Sequence, residues 1–232
     1  MKAQLSSSSD VAKYLCSLPL FLGLSEASVM ELARACRFQR VEKGEIIFFQ
    51  SDPSELAYIV RSGNISLLLN SLDGREMVIN EMHPGDVFGE LGILTKQPRS
   101  TSAIARANSE LLVIPRQAFI HIIDTEPQVA RRMLEITAHR LQQSGERESA
   151  LAFMDAQARL ARLLLELEIE QKDKGYVTIS QEELANRTGL IRQTVAKALG
   201  KWRRSGWLIT GRGRILILNH KALENLENKL LV

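Results

Sequence analysis

Between Val41 and Pro115 the chain is cut into short β-rich runs by glycine, asparagine and proline corners, and this limits the fold more than any other feature. The runs "EIIFFQ", "LAYIVRSG", "NISLLLN", "EMVINEM" and "ELLVIPR" each suit one strand, and turn signals such as Asp73-Gly74 and Pro84-Gly85-Asp86 separate them. Regularly spaced short strands with glycine corners predict a small β-barrel or jelly roll over roughly residues 40 to 115, a container fold.

On either side the period becomes helical. The stretch Ser6 to Ser9 reads as a frayed start, and "SEASVMELARAC" as a short helix capped by Ser25, with Val29, Leu32 and Ala33 on one face. "YLCSLPLFLGL" imitates the apolar core of a signal peptide, yet no small-residue cleavage site follows it and an amphipathic pattern comes next. No run of about 18 apolar residues exists, so no membrane span is expected. Cys16 and Cys36 lack a CxxC spacing and read as free thiols of a reducing compartment, which makes a cytoplasmic location the expectation.

Beyond the roll, a helix can start at Pro127 and meets no glycine before Gly145. Val129, Met133, Ile136 and Arg140 recur at spacings of three or four, a face that suits either a partner helix or the chain's own roll; the spacing alone does not choose. Asp155 is placed to cap a further helix running to about Glu170, with Leu160, Leu163, Leu164 and Leu167 inward, and "QKDKGY" then forms a polar break. The break points to a second domain starting near residues 171–176.

The net charge of +3 hides a division. Residues 1–171 hold 18 Lys plus Arg against 22 Asp plus Glu, whereas residues 172–232 hold 12 against 5, a net of +7. Such a region either meets phosphates or presents a solvated basic face. Within it, "ISQEELANRTGLIRQTVAKALGKWRRSGWLITGRGRILIL" encodes helix, tight turn, helix and hairpin. Ser180 and Glu183 have the capping-box spacing, and Gly189 supplies the turn. The second helix turns Val195, Ala198, Leu199 and Trp202 inward and leaves Arg192, Gln193 and Lys197 outside, where arginine suits guanine and glutamine suits adenine. "LITGRGRILIL" is a wing whose Arg212 and Arg214 can grip phosphates. Trp202 and Trp207 lie in apolar runs and read as core. Ile191 stands where a serine or threonine would normally cap the second helix.

In "FGELGILTKQPRST" a glycine-flanked carboxylate, Glu90, precedes Arg99 by nine positions, and Ser100 and Thr101 follow directly. Either the two charges pair on an exposed loop, or they grasp a small anionic sugar phosphate, the carboxylate accepting from sugar hydroxyls and the guanidinium clamping the phosphate. Other chemistries find no support: His83, His121, His139 and His220 are scattered without an HxH pair, two distant cysteines cannot supply four thiolates, and neither GxSxG nor a Walker loop occurs. No enzymatic role is assigned.

Through "PLFLGLSEASVMELA", "GEIIFFQSD", "YIVRSGNISLLL", "PGDVFGELGIL" and the helix-turn-helix, nearly the whole chain resembles the bacterial CRP/FNR family of transcription regulators. The resemblance implies an α+β architecture: an N-terminal cyclic-nucleotide-binding β-roll (jelly roll), a long dimerisation helix and a C-terminal winged helix-turn-helix, with a hinge at Phe153-Met154-Asp155. With it, the division expected is residues 1–126, 127–153 and 154–232. It implies that Gly89 and Glu90 hold the ribose, that Arg99 and Ser100 hold the cyclic phosphate, that Ser144 reaches the purine, and that Leu91, Thr101 and Arg140 belong to the same nucleotide site. The DNA-binding residues it implies are Ser180, Arg192, Gln193, Thr194, Lys197 and Arg212. The implied effector is cyclic AMP, with cyclic GMP an alternative because Ser100 can bond a phosphate or a guanine amino group. The implied partners are a palindromic double-stranded DNA operator, a second copy in a homodimer and RNA polymerase, with no membrane. A regulator sensing another ligand, such as cyclic di-GMP or a metabolite, or active without ligand, is the alternative.

Three departures from the family pattern matter. Ser51 stands where glycine is usual in a turn that needs positive φ. Gly145 replaces a hydroxyl expected to meet the base, and Gln193 replaces an acceptor-only glutamate, which shifts preference from a cytosine amino group toward adenine.

Overall fold

The computed structural model describes residues 7–70 and 76–227, so the turn expected at Asp73-Gly74 lies outside the described residues. Residues 75–77 aside, the chain forms two compact units, one running to His139 and the other starting at Arg140.

In the first unit, helices α1 (Ser8–Ser17) and α2 (Glu26–Ala35) precede strands β1 (Arg37–Val41), β2 (Ile46–Phe48), β3 (Leu56–Ser62), β4 (Ile65–Asn70), β5 (Glu76–Met82) and β6 (Val87–Phe88). A short helix α3 (Glu90–Thr95), strands β7 (Ser102–Ala105) and β8 (Ser109–Pro115), helix α4 (Arg116–Thr125) and the first part, up to His139, of the long α5 (Pro127–Phe153) complete the series. Two four-stranded sheets, ordered β1-β8-β3-β6 and β2-β7-β4-β5, form the roll expected from the short β-rich runs.

Alternation along β3 and β8 explains why these strands read as nearly continuous apolar runs. With Tyr58 opposite Val113 in the antiparallel ladder, Ala57, Ile59, Leu112 and Ile114 face a core built with α1, α2, α4 and the start of α5. Their neighbours Tyr58, Val60, Leu111 and Val113 face the other way, into a second core with Phe48, Ile65, Met82, Ala103 and Ala105 of the opposite sheet. One sheet is therefore buried on both sides, and the roll is closed by side chains from both layers.

One expectation needs correction here. The serine-rich start is not frayed from Ser7 onward: the Ser7 hydroxyl accepts from the Asp10 amide at 3.2 Å, and Ser8 and Ser9 lie in α1. The signal-like apolar stretch is core, contributing Leu15, Leu18, Leu20 and Phe21. The open question about the long helix is also decided for its first turns. Val129 and Met133 are buried in the core of the chain's own unit, with Ile136 packed against it, whereas Leu134 (70%) and Leu141 (73%) stay exposed on another face. Among the described residues no helix is long and apolar enough to cross a membrane.

The second unit contains, after the end of α5, α6 (Ala156–Glu170), β9 (Val177–Thr178), α7 (Gln181–Thr188), α8 (Arg192–Arg204), β10 (Leu208–Gly211), β11 (Arg214–Ile217) and α9 (His220–Glu227). Asp155 caps α6 as expected, its Oδ1 accepting from the Gln157 and Ala158 amides at 2.8 Å each. Leu160, Leu164 and Leu167 are buried, Leu163 packs at the core's edge, and all four inward residues expected of α8 join them. The wing forms a three-stranded sheet, β10-β11-β9, with Gly211 opposite Arg214 across the turn at Arg212-Gly213.

Candidate functional site

Gly89 ends β6 and caps α3 at a φ of 74°, in the left-handed region that glycine enters without strain. A Cβ at that position would lie 2.6 Å from Arg99 Nη1 and 3.3 Å from the Leu56 carbonyl oxygen, so the glycine is needed for space as well as for φ. It delivers Glu90 as the first residue of α3, only 6% exposed.

Arg99 is 5% exposed and sits in the roll. Its Nη1 donates to the Gly89 carbonyl at 2.5 Å and its Nη2 to the Leu56 carbonyl at 2.6 Å. The guanidinium carbon lies 4.1 Å from the Phe48 ring centroid and 5.8 Å from that of Tyr58, within cation–π range. Burial pulls the Arg99 guanidinium below its ordinary value, and Tyr58, Glu90, Asp52 and Glu55 pull it back up. Both Glu90 and Arg99 are buried, so the reading of an exposed surface pair is wrong.

Backbone contacts hold the loop in register: the Arg99 amide donates to the Asp52 carbonyl and the Ser51 amide to the Arg99 carbonyl, each at 2.9 Å. Ser51 adopts a φ of 72°, so the turn forms even with serine where the resemblance implies glycine. Ser100 is exposed, Thr101 partly so, and Leu91 is 47% exposed on α3.

Sequence reading missed the surroundings of the guanidinium. Phe48, Tyr58 and Phe88 form an aromatic cluster beside it, with ring centroids 5.1 to 6.1 Å apart. Phe48 and Tyr58 are signalled only as aromatic residues at inward strand positions, which reads as core until a cation is placed over the rings. The other two partners are main-chain carbonyls, for which a sequence carries no signal. Arg140 and Ser144 belong to the second unit, both partly exposed on α5. The Ser144 hydroxyl lies 3.5 Å from Glu148, and a Cβ on Gly145 would meet open space.

In the basic region the Ser180 hydroxyl accepts from the Glu183 amide at 3.0 Å, starting α7 as the capping-box spacing predicts. Gly189, at a φ of 68°, ends the helix and turns the chain toward α8. A cleft of about 300 Å³ is lined by Ser180, Glu182, Arg192, Thr210 and Arg212, so three of the six anticipated DNA-binding residues share one cleft. Gln193 and Lys197 are exposed on α8, and Thr194 is partly exposed. Exposed arginine, glutamine and lysine on one helix, beside a wing carrying Arg212, form a donor array suited to phosphates and base edges. The Arg214 guanidinium lies 5.0 Å from the Tyr176 ring. Trp202 is fully buried and stacks against Trp207 at 6.4 Å, a core role. Among the described residues no group of three or more His, Cys, Asp or Glu could hold a metal ion.

Residues 38–126 match the cyclic nucleotide-binding domain family, and residues 158–226 the Crp-like helix-turn-helix domain family. The chain is 33% identical over 210 residues to the cyclic AMP receptor protein of Thermus thermophilus, covering 90% of this chain and 96% of that protein. Among solved structures it is similar to a crp/fnr-family transcriptional regulator from Eubacterium rectale, with a TM-score of 0.78 and 25% identity over 93% of this chain and 99% of that one. It shares a fold with the c-di-GMP responsive global regulator CLP of Xanthomonas campestris, with a TM-score of 0.74 and 24% identity over 83% of this chain and 99% of that one.

Proposed function

The chain belongs to the CRP/FNR family of DNA-binding transcription regulators, and we propose that it is a cytoplasmic homodimer whose roll binds cyclic AMP and whose wings and α8 helices read a palindromic operator. Residues 1–126 serve as the ligand unit, 127–153 as the dimerisation helix and 154–232 as the DNA unit, with RNA polymerase as a further partner. The family regulates transcription; it is not a family of enzymes.

Arg99 carries this reading. A cation buried so deeply is costly unless charge or hydrogen bonds compensate it, and its guanidinium has more N–H donors than its two carbonyl bonds use. Its Nε has no hydrogen-bond partner. A cyclic phosphate supplies acceptors for the unused donors, drawing on Arg99, Ser100 and Thr101. Glu90 accepts from the ribose hydroxyl, Gly89 and Leu91 shape the cassette, and Arg140 and Ser144 address the base. Leu134, Ala138 and Leu141, exposed at spacings of four and three on α5, supply the seam for the second copy. A coupling of about 1–3 kcal/mol between ligand and DNA sites is enough to change DNA affinity severalfold to a hundredfold.

Calorimetric titration with cyclic AMP, cyclic GMP and cyclic di-GMP tests the assignment. The expected result is saturable heat with cyclic AMP, weakened about tenfold to a hundredfold by Arg99→Lys, which keeps the charge but loses the planar fork. Circular dichroism establishes that the variant is folded, and Ser100→Ala, at an exposed position, gives a second reading on the same phosphate. Silence with cyclic AMP in the folded wild type overturns the effector assignment. Two observations favour a different ligand as the second reading: Gly145 offers no hydroxyl to a base, and Arg99 is already engaged by two carbonyls over an aromatic-filled interior. Heat with cyclic di-GMP alone would establish that reading instead.

A further inference from the structure

We infer that Ile191 is a sequence-reading residue whose side chain covers the C5-methyl group of a pyrimidine in the major groove; this rests on the DNA-binding reading above. Ile191 occupies the N-cap of α8 in an extended conformation (φ −82°, ψ 144°) and makes no side-chain capping bond. A serine or threonine there would satisfy an amide of the first turn, so isoleucine forgoes a stabilising contact.

Nor does Ile191 gain burial in exchange. It is 51% exposed, while its neighbour Leu190 packs against the core of the unit. Among the described residues of α8 and its cap it is the single large apolar side chain left outside, next to the exposed Arg192 and Gln193. Such a breach of the local rules, without return in the free protein, is the mark of a contact made with a partner.

The charge of the region identifies that partner. Residues 172–232 carry 12 Lys plus Arg against 5 Asp plus Glu, and Arg192 and Arg212 line the same cleft. This favours a polyanion, and within the major groove of duplex DNA the apolar feature on a base edge is the pyrimidine C5-methyl. Thymine carries that methyl, and so does 5-methylcytosine. Covering it removes apolar surface of both molecules from water, a return that the free protein does not provide.

The test uses the full-length protein and a duplex selected by it from random sequence. Each thymine of the selected site is replaced in turn by deoxyuridine, which deletes only the methyl group, and each cytosine by 5-methylcytosine, which adds one. Affinity is read by fluorescence anisotropy at fixed salt. Loss of about threefold to tenfold at a thymine position is expected for the wild type, and none at that position for Ile191→Ser. Ile191→Ser supplies the missing cap and should melt no lower than the wild type, which separates loss of a contact from loss of fold. A gain at a methylated cytosine that vanishes in Ile191→Ser also supports the contact and names 5-methylcytosine as its source. Indifference of the wild type to every methyl group, or unchanged methyl dependence in Ile191→Ser, overturns the inference while leaving DNA binding intact. Failure of the wild type to select any duplex sinks the DNA-binding reading itself, and this inference with it.

Discussion

At the scale of single residues, the loop around Arg99 is set by two positions in the left-handed region. Gly89 suits it, and Ser51 does not: a residue with a Cβ held there is disfavoured by about 1–2 kcal/mol. Ser51 is exposed, and the bond it makes here runs from its main-chain amide to the Arg99 carbonyl. Ser51→Gly therefore relieves strain without removing that contact. Part of the gain is offset by the greater freedom of glycine in the unfolded chain, so denaturant unfolding should show a stabilisation of about 0.5–1 kcal/mol. Gly89→Ala should act the other way, by more than about 2 kcal/mol, because the added methyl meets Arg99 Nη1 as well as an unfavourable φ. Equal stability of the two variants would show that the turn is not held as described. Sequence reading identified Ser51 as a departure and Gly89 as part of the cassette, but not the carbonyl oxygens that Arg99 grips.

Among the elements, three helices were legible from the chemistry of their first residue. Ser25, Asp155 and Ser180 each announce a helix, and each accepts from a main-chain amide two or three residues on. Helix α4 starts after Pro115 without a side-chain cap and went unread; α1 and α9 also went unread, although the Ser7 hydroxyl and Asn219 Oδ1 accept from the Asp10 and Ala222 amides. Helix α4 forms because packing Phe119 and Ile122 against the core rewards an amphipathic face, a long-range effect that local signals do not record. Asp155 gives the corresponding prediction. Asp155→Ala should cost about 1 kcal/mol in urea unfolding of the unit that contains α6, since two amides of its first turn lose their acceptor. An unchanged midpoint would mean that water caps the helix equally well. The long helix shows the limit of periodicity: the spacing of Val129, Met133 and Ile136 fitted a partner helix and the chain's own roll equally, and burial in the first unit chose the roll.

Across the whole molecule, charge is segregated, with the basic excess confined to the last quarter of the chain. If that surface meets the DNA backbone, binding must weaken steeply with salt, and each phosphate contact removed should make the log–log salt slope shallower by about 0.9. Arg212→Ala is expected to do so, weakening all sequences alike, whereas the same slope in variant and wild type would remove the wing from the interface. The sequence by itself determined the strand-rich roll, the two helices on either side of Gly189 and the inward face of α8, because hydrophobic period and turn chemistry act over a few neighbouring residues. Tertiary structure alone decided that Glu90 and Arg99 are enclosed rather than exposed, and that Arg99 rests on Phe48 while bonding to Leu56, 43 residues away. Such contacts depend on which strands become neighbours when the roll closes, and no local pattern specifies the neighbour across a core.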